Sequence, residues 1–131
     1  MNKNNKQFLH DVLGINVFID NTKTFCAEME VTEKVCQPFG FLSGGATLAL
    51  AETLAGFASL SLCEENTFPV GIQVSANHLN SVPLGKKVKA IAKLLKKGNT
   101  IHTWEIKVYE LENTMEKIIS ICQITNYIKG K

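Results

Sequence analysis

The chain has 131 residues, 45% of them hydrophobic and 20% charged, with a formal net charge of +2. That balance suits one domain, residues 1–131, with a sizeable core, and it excludes a dedicated nucleic-acid binder with a strongly basic surface. The four cysteines, Cys26, Cys36, Cys63 and Cys122, form no C-x-x-C pair, so zinc-type spacing is absent. The opening run Met1-Asn2-Lys3-Asn4-Asn5-Lys6-Gln7 is polar and leads into no long apolar stretch, which predicts no secretory signal. A cytoplasmic protein with reduced thiols packed as small hydrophobes is expected.

In chain order, residues 4–13 read as a short helix with Phe8, Leu9, Val12 and Leu13 on one side, ended by Gly14. Ile15 to Ile19 reads as a strand, and Asn21-Thr22-Lys23 as a turn. Phe25, Ala27, Met29 and Val31 alternate with Cys26, Glu28 and Glu30, the period of a second strand. Gln37 to Gly45 is rich in turn formers, and Ser43 or Gly44 is placed to cap a helix. Ala46 to about Cys63 is Ala/Leu-rich and apolar on nearly all sides, so a central helix surrounded by protein is expected there. A membrane span over Gly44–Cys63 is disfavoured by Glu52 near its middle.

The remainder is strand-like. Val70, Ile72, Val74 and Ala76 alternate with Gly71, Gln73 and Ser75, and Pro83 with Gly85 marks a break. Val88, Ala90, Ala92 and Leu94 alternate next, before a turn at Lys97-Gly98-Asn99. His102, Trp104, Ile106 and Val108 follow, then a turn at Glu112-Asn113-Thr114 and a last strand over Lys117–Ile128. Short turns between consecutive strands predict an antiparallel meander. The fold class is α+β, a sheet wrapped around one long helix.

Glu52 is the most informative residue, because an ionisable group two turns into an apolar helix needs a reason. It reads either as an exposed edge residue or as a carboxylate in a partly dry cleft, available as base or nucleophile. Ser43-Gly44-Gly45 stands at the start of the same helix. Free N–H groups and the positive end of the helix dipole there would polarise a carbonyl. The separation from Glu52 is about 12 Å along the axis. One helix cannot apply both to one carbonyl, which points to a site shared between two subunits. Of the histidines, His10 reads as surface, His102 as packing beside Trp104, and His78 as a strand-end residue. The lysines at 86–87, 89, 93 and 96–97 read either as a solvated strand face or as a patch for a small anion.

Gln37-Pro38-Phe39-Gly40-Phe41-Leu42-Ser43-Gly44-Gly45-Ala46, with Leu50-Ala51-Glu52-Thr53, resembles the hotdog-fold thioesterases of the phenylacetate-degradation type. The nearest branch is that of 1,4-dihydroxy-2-naphthoyl-CoA thioesterase and the enterobactin proofreading thioesterase. Gly71 to His78 with Ser81, then Gly98 with Trp104, continue the likeness, which runs from about Val31 to the C-terminus. The resemblance implies a homotetramer built from hotdog dimers, no metal or other cofactor, and an acyl-CoA substrate held across the dimer interface. It implies Glu52 as the carboxylate that attacks the thioester or activates water, the Gly44 amide on the thioester oxygen, and Gln37 near the reacting centre. Gly71, His78, Leu79, Asn80 and Ser81 would line the acyl and pantetheine path. Lys96, Lys97, Gly98, Asn99, Thr100 and Ile101 would hold the CoA nucleotide.

Three positions depart from the pattern. Ser43 replaces a histidine and keeps only a hydroxyl donor. Gly56 replaces a Ser or Thr that would help place water. Asn80 stands where close relatives carry Arg. Three other readings compete: an acyl-thioester dehydratase, disfavoured by Ser43 in place of His, a non-catalytic acyl-CoA-binding protein, and a structural oligomer in which Glu52 is incidental.

Overall fold

The computed structural model describes residues 7–112 and 117–131. Helix α1 (Leu9–Leu13) ends on Gly14, whose φ of 78° is the left-handed conformation glycine favours. It starts at Leu9, because the Asp11 carboxylate accepts from the Phe8 N–H (3.0 Å) and caps the chain there. Residues 4–6 of the expected helix lie outside the described residues. Strands β1 (Asn16–Ile19) and β2 (Phe25–Glu30) pair across the expected turn. Helix α2 (Gly44–Leu60) follows, then β3 (Thr67–His78), β4 (Lys87–Lys97), β5 (Ile101–Glu110) and β6 (Ile118–Gly130). The expected turn at 112–114 falls partly outside the described residues. No described helix is long and apolar enough to cross a membrane.

The six strands form one antiparallel sheet in the order β1-β2-β4-β5-β6-β3, the α+β hotdog arrangement. The expected meander holds for β4, β5 and β6 only. β3 pairs with β6 instead of its successor β4, and so becomes an edge strand. The crossover after β3 is anchored by buried Val82, whose carbonyl accepts from the Leu42 N–H (2.8 Å). It is also anchored by Gly85, whose N–H donates to the Val31 carbonyl (2.9 Å).

The core lies between α2 and the concave face of the sheet. Leu50, Leu54, Ala51, Ala55 and Ala58 are wholly buried from the helix, against Met29, Val88, Ile106 and Ile124. Burying each leucine contributes about 2 kcal/mol. The small alanines let the helix settle close to the strands. Cys122 packs inside this core, while Cys26 is buried on the other face of β2 against Asp20 and Thr24, and burial pushes both thiols up, Cys122 to about 11. α2 is not surrounded by protein as its composition suggests. Glu52, Phe57 and Leu60 face outward, with Phe57 39% and Leu60 49% exposed. On the convex face Lys87, Lys89 and Lys93 stand opposite Glu30, Glu28 and Glu105, so much of the basic cluster is a solvated strand face with acidic neighbours.

One buried polar node ties α2 to the sheet. Ser59 Oγ accepts from Trp104 Nε1 (2.7 Å) and from Asn126 Nδ2 (3.0 Å). Those two donors occupy both lone pairs, so the hydroxyl proton goes to His102 Nδ1 (2.9 Å) and the imidazole is neutral. Burial, with the nearby Lys97 charge, holds the His102 pKa below its usual value. The unfolded chain therefore takes up this proton first. Stability from this node is complete above about pH 6.5 and is lost as pH falls toward the lower folded pKa. Thermal denaturation of wild type and His102→Gln across that range checks this: the wild type should lose Tm more steeply on acidification than the variant.

Candidate active site

The chain between β2 and α2 is tied into a tight loop by its own side chain. Gln37 Oε1 accepts from the Phe39 N–H (2.7 Å) and the Phe41 N–H (3.2 Å), and Gly40 takes a φ of 92°. The loop thereby spends the amide oxygen of Gln37 and leaves its NH2 group for a ligand. Ser43 is the N-cap of α2. Its hydroxyl accepts from the Gly45 N–H (3.0 Å) and the Ala46 N–H (3.3 Å), while its carbonyl accepts from the Thr47 N–H (3.1 Å). Of the first helical turn, only the Gly44 N–H has no partner among the described residues. A carbonyl oxygen brought to Gly44 would meet an unspent donor at the positive end of a 17-residue helix.

β3 runs alongside α2, and a bulge decides which of its residues face the helix. The register with β6 steps from Gly71–Asn126 to Gln73–Thr125, leaving Ile72 as the extra residue. Simple alternation puts Gly71 on the face opposite Val74. The bulge puts it on the same face, because Gly71, Val74, Ala76 and His78 pair with buried Asn126, Ile124, Cys122 and Ser120. Gly71 comes to lie under Glu52, whose carboxylate occupies the space a Cβ on Gly71 would need. His78 comes to lie against Gly44: its Nε2 is 2.9 Å from where a Gly44 Cβ would sit.

The expected site residues thus fall into three groups within one chain. A cavity of about 310 Å³ at the start of α2 gathers Gln37, Gly44, His78, Leu79, Asn80 and Ser81. Asn80 Nδ2 donates to the Ile118 carbonyl (2.7 Å), so its side chain helps hold the rim. Glu52 and Gly56 line a second groove of about 360 Å³, mostly apolar, with Phe57, Leu60, Phe68 and Pro69. Glu52 is exposed there in the single chain, which fits the exposed-edge reading of the two its sequence allowed. His10 lines the same groove, edge-on to Phe57 at 5.4 Å between centroids, and is not a plain surface residue. Gly56 has open space where a side chain would stand.

The third group lies at the far end of α2. Lys97, Gly98 and Asn99 line a recess with Cys63, Glu64 and His102. The turn is closed by the Gly98 N–H to the Ile101 carbonyl (2.7 Å), and the Thr100 carbonyl accepts from the Ile128 N–H (2.7 Å). A bulge between Leu94 and Lys96 pairs Lys96 with Thr103 and Lys97 with buried His102. The two lysines therefore point to opposite faces, with Lys97 on the helix side. Ser120 went unnoticed in the sequence. The signal was there: it shares the buried face of the last strand with Cys122, Ile124 and Asn126, and a polar residue on such a face needs a partner.

A match to the thioesterase superfamily covers residues 39–117. The chain is 34% identical over 123 residues to 1,4-dihydroxy-2-naphthoyl-CoA hydrolase from Listeria monocytogenes, covering 94% of this chain and 97% of that one. It is 43% identical over 84 residues to the proofreading thioesterase EntH from Klebsiella pneumoniae, 64% of this chain and 61% of the relative. Its fold superposes on a crystallised variant of thioesterase PA1618 from Pseudomonas aeruginosa with a TM-score of 0.88 at 30% identity, covering 98% of this chain and 90% of that one.

The cap geometry makes a first prediction about the site's scaffold. Ser43→Ala leaves the Gly45 and Ala46 amides without their acceptor and should cost about 1 kcal/mol, whereas Ser43→Gly should cost only a few tenths. Thermal melts of the two variants test the order.

Proposed function

We propose that this chain, which belongs to the thioesterase superfamily and is a thioester hydrolase, cleaves an aromatic or medium-chain acyl-CoA to the free acid and CoA. The observation that carries the reading is the pairing of two spaces left by glycines. One receives the Glu52 carboxylate at Gly71, and the other exposes the unspent Gly44 N–H. In this reading the Gly44 amide polarises the thioester carbonyl. Glu52 then either adds to the carbonyl carbon or takes a proton from a water that adds there. The C–S bond breaks, and CoA leaves as a thiolate that a proton from solvent neutralises; where Glu52 has added, water then cleaves the acyl–Glu52 anhydride to the free acid and restores the carboxylate.

The two parts belong to different subunits of a homodimer in this proposal. Eight residues of helix separate Gly44 from Glu52, about 12 Å of rise. β3 leaves one edge unpaired and exposes Val70, Ile72 and Val74 by 37–56%, a surface that pairing with a second β3 would cover. An antiparallel pairing of that kind sets the start of one α2 beside the middle of the other. The lysine turn, at the opposite end of its own α2 from Gly44, would then reach the nucleotide of a ligand seated at the partner's Gly44. The apolar groove of Phe57, Leu60, Phe68 and Pro69 beside Glu52 suits an apolar acyl group. Assembly of such dimers into a tetramer, and residence in the cytoplasm, complete the proposal.

Thiol release from a panel of aromatic and aliphatic acyl-CoAs tests it. Wild type should release thiol, and Glu52→Ala should lose at least about a hundredfold in kcat. Binding of acyl-CoA without release would instead favour a binding protein, in keeping with a Ser43 hydroxyl engaged in capping and a hydroxyl-free Gly56. Gly71→Ala should also lose about tenfold or more in kcat while keeping its Tm within a few degrees, because the added methyl displaces the carboxylate and little else. Kinetics and melts of the same preparations separate the two effects.

A further inference from the structure

His78 is held in a way that lining a ligand path does not require. It is the cross-strand partner of Ser120, a residue with no exposed surface, and its Nδ1 lies 2.7 Å from Ser120 Oγ. The ring is thereby fixed at χ2 with its far nitrogen directed away from β6. That nitrogen, Nε2, lies 2.9 Å, and Cδ2 3.0 Å, from the point where a Cβ on Gly44 would stand. The imidazole edge and Gly44 therefore line the same 310 Å³ cavity, with no room between them for a side chain on residue 44. Any residue but glycine at position 44 would push the ring out.

The side chain immediately before Gly44 is Ser43, and its oxygen is engaged by two amides of its own helix. The Gln37 NH2 group also lines this cavity, but from the loop, whereas the imidazole is the donor-bearing side chain set against Gly44 itself.

We propose that His78 is a catalytic residue, the second donor to the thioester carbonyl oxygen. Its Nε2–H acts beside the Gly44 N–H, and Ser120 is the positioning residue that donates to Nδ1 and so keeps the proton on Nε2. This rests on the thioesterase reading and adds a residue and a role to it. A donor aimed at a growing oxyanion acts mainly in the transition state, so its loss lowers kcat more than it raises KM.

Two measurements test the proposal. In steady-state thiol release, His78→Ala should lower kcat by about tenfold to a few hundredfold with KM within about threefold. His78→Gln, whose amide nitrogen reaches the Nε2 position, should recover part of that loss. Ser120→Ala should lower kcat less than His78→Ala. The second readout needs no turnover. Benzoyl-CoA labelled with 13C at the thioester carbonyl is bound to Glu52→Gln, and its carbonyl stretch is read by isotope-edited infrared spectroscopy. The shift to lower frequency on binding should shrink when His78→Ala is added. Unchanged kcat in His78→Ala, a change confined to KM, or a carbonyl frequency indifferent to His78 would overturn the proposal. Wild type that releases no thiol from any acyl-CoA would instead overturn the thioesterase reading, and the infrared comparison would still decide the role of His78.

Discussion

The close approach of α2 to β3 is the constraint on which the rest of the molecule depends. Alanines on the buried side of the helix allow it, and two glycines complete it: Gly71 under Glu52, and Gly44 under His78. Neither glycine is needed for a positive φ, since both lie outside that region. Each is needed for the space a Cβ would take. A carboxylate and an imidazole fill those spaces, so the same packing that closes the core also aims the two side chains to which the proposed mechanism assigns chemistry. The β3 bulge is the second half of the device, because without it Gly71 would face the other side of the sheet.

The far end of the helix is held differently. There the core is polar, and Ser59 joins His102, Trp104 and Asn126 through one oxygen. Each member is satisfied, and no buried side-chain N or O atom among the described residues lacks a partner. Asn126 also donates to the Ala55 carbonyl (3.2 Å) and is the cross-strand neighbour of Gly71. The polar node and the Glu52 seat thus share a residue. A shift of α2 along its axis would break the node's hydrogen bonds and lift the carboxylate from its place together, so the node fixes the helix's register against β6.

Much of this was legible before any coordinates. Alternation placed β2, β5 and β6 within a residue or two and β4 within three, because each buries one face and period-2 patterning is what half-burial writes into a sequence. Glu52 stood out because nothing else on its helix is ionisable, and the Gln37 to Gly45 run marked the loop and the cap. The misreadings have physical causes. β3 carries exposed apolar residues on both faces, so composition gave no hint of a bulge or of an edge position. α2 looked apolar all round and was expected to be buried all round, yet Phe57 and Leu60 are open in the single chain. Hydrophobicity reports that a surface is to be covered, and it is silent on whether the same chain or another covers it. Ser120 and Ser59 escaped because a serine in an apolar pattern reads as neutral until its partner, some 40 residues away, is known.

β3 meets several demands in twelve residues. It hydrogen-bonds to β6 on one side, seats Glu52 through Gly71, places His78 beside Gly44, and leaves its other edge bare. A residue in an ordinary edge strand answers to one neighbour, and drift there is cheap. Here a single insertion or deletion between Gly71 and His78 would reverse the facing of everything on one side of it, unseating either the carboxylate or the imidazole while leaving the core of α2, β4 and β5 intact. The segment is therefore a place where folding and chemistry come apart in the proposed mechanism: chains with a changed spacing in β3 would keep the core of α2, β4 and β5 and lose the seat of a proposed catalytic group.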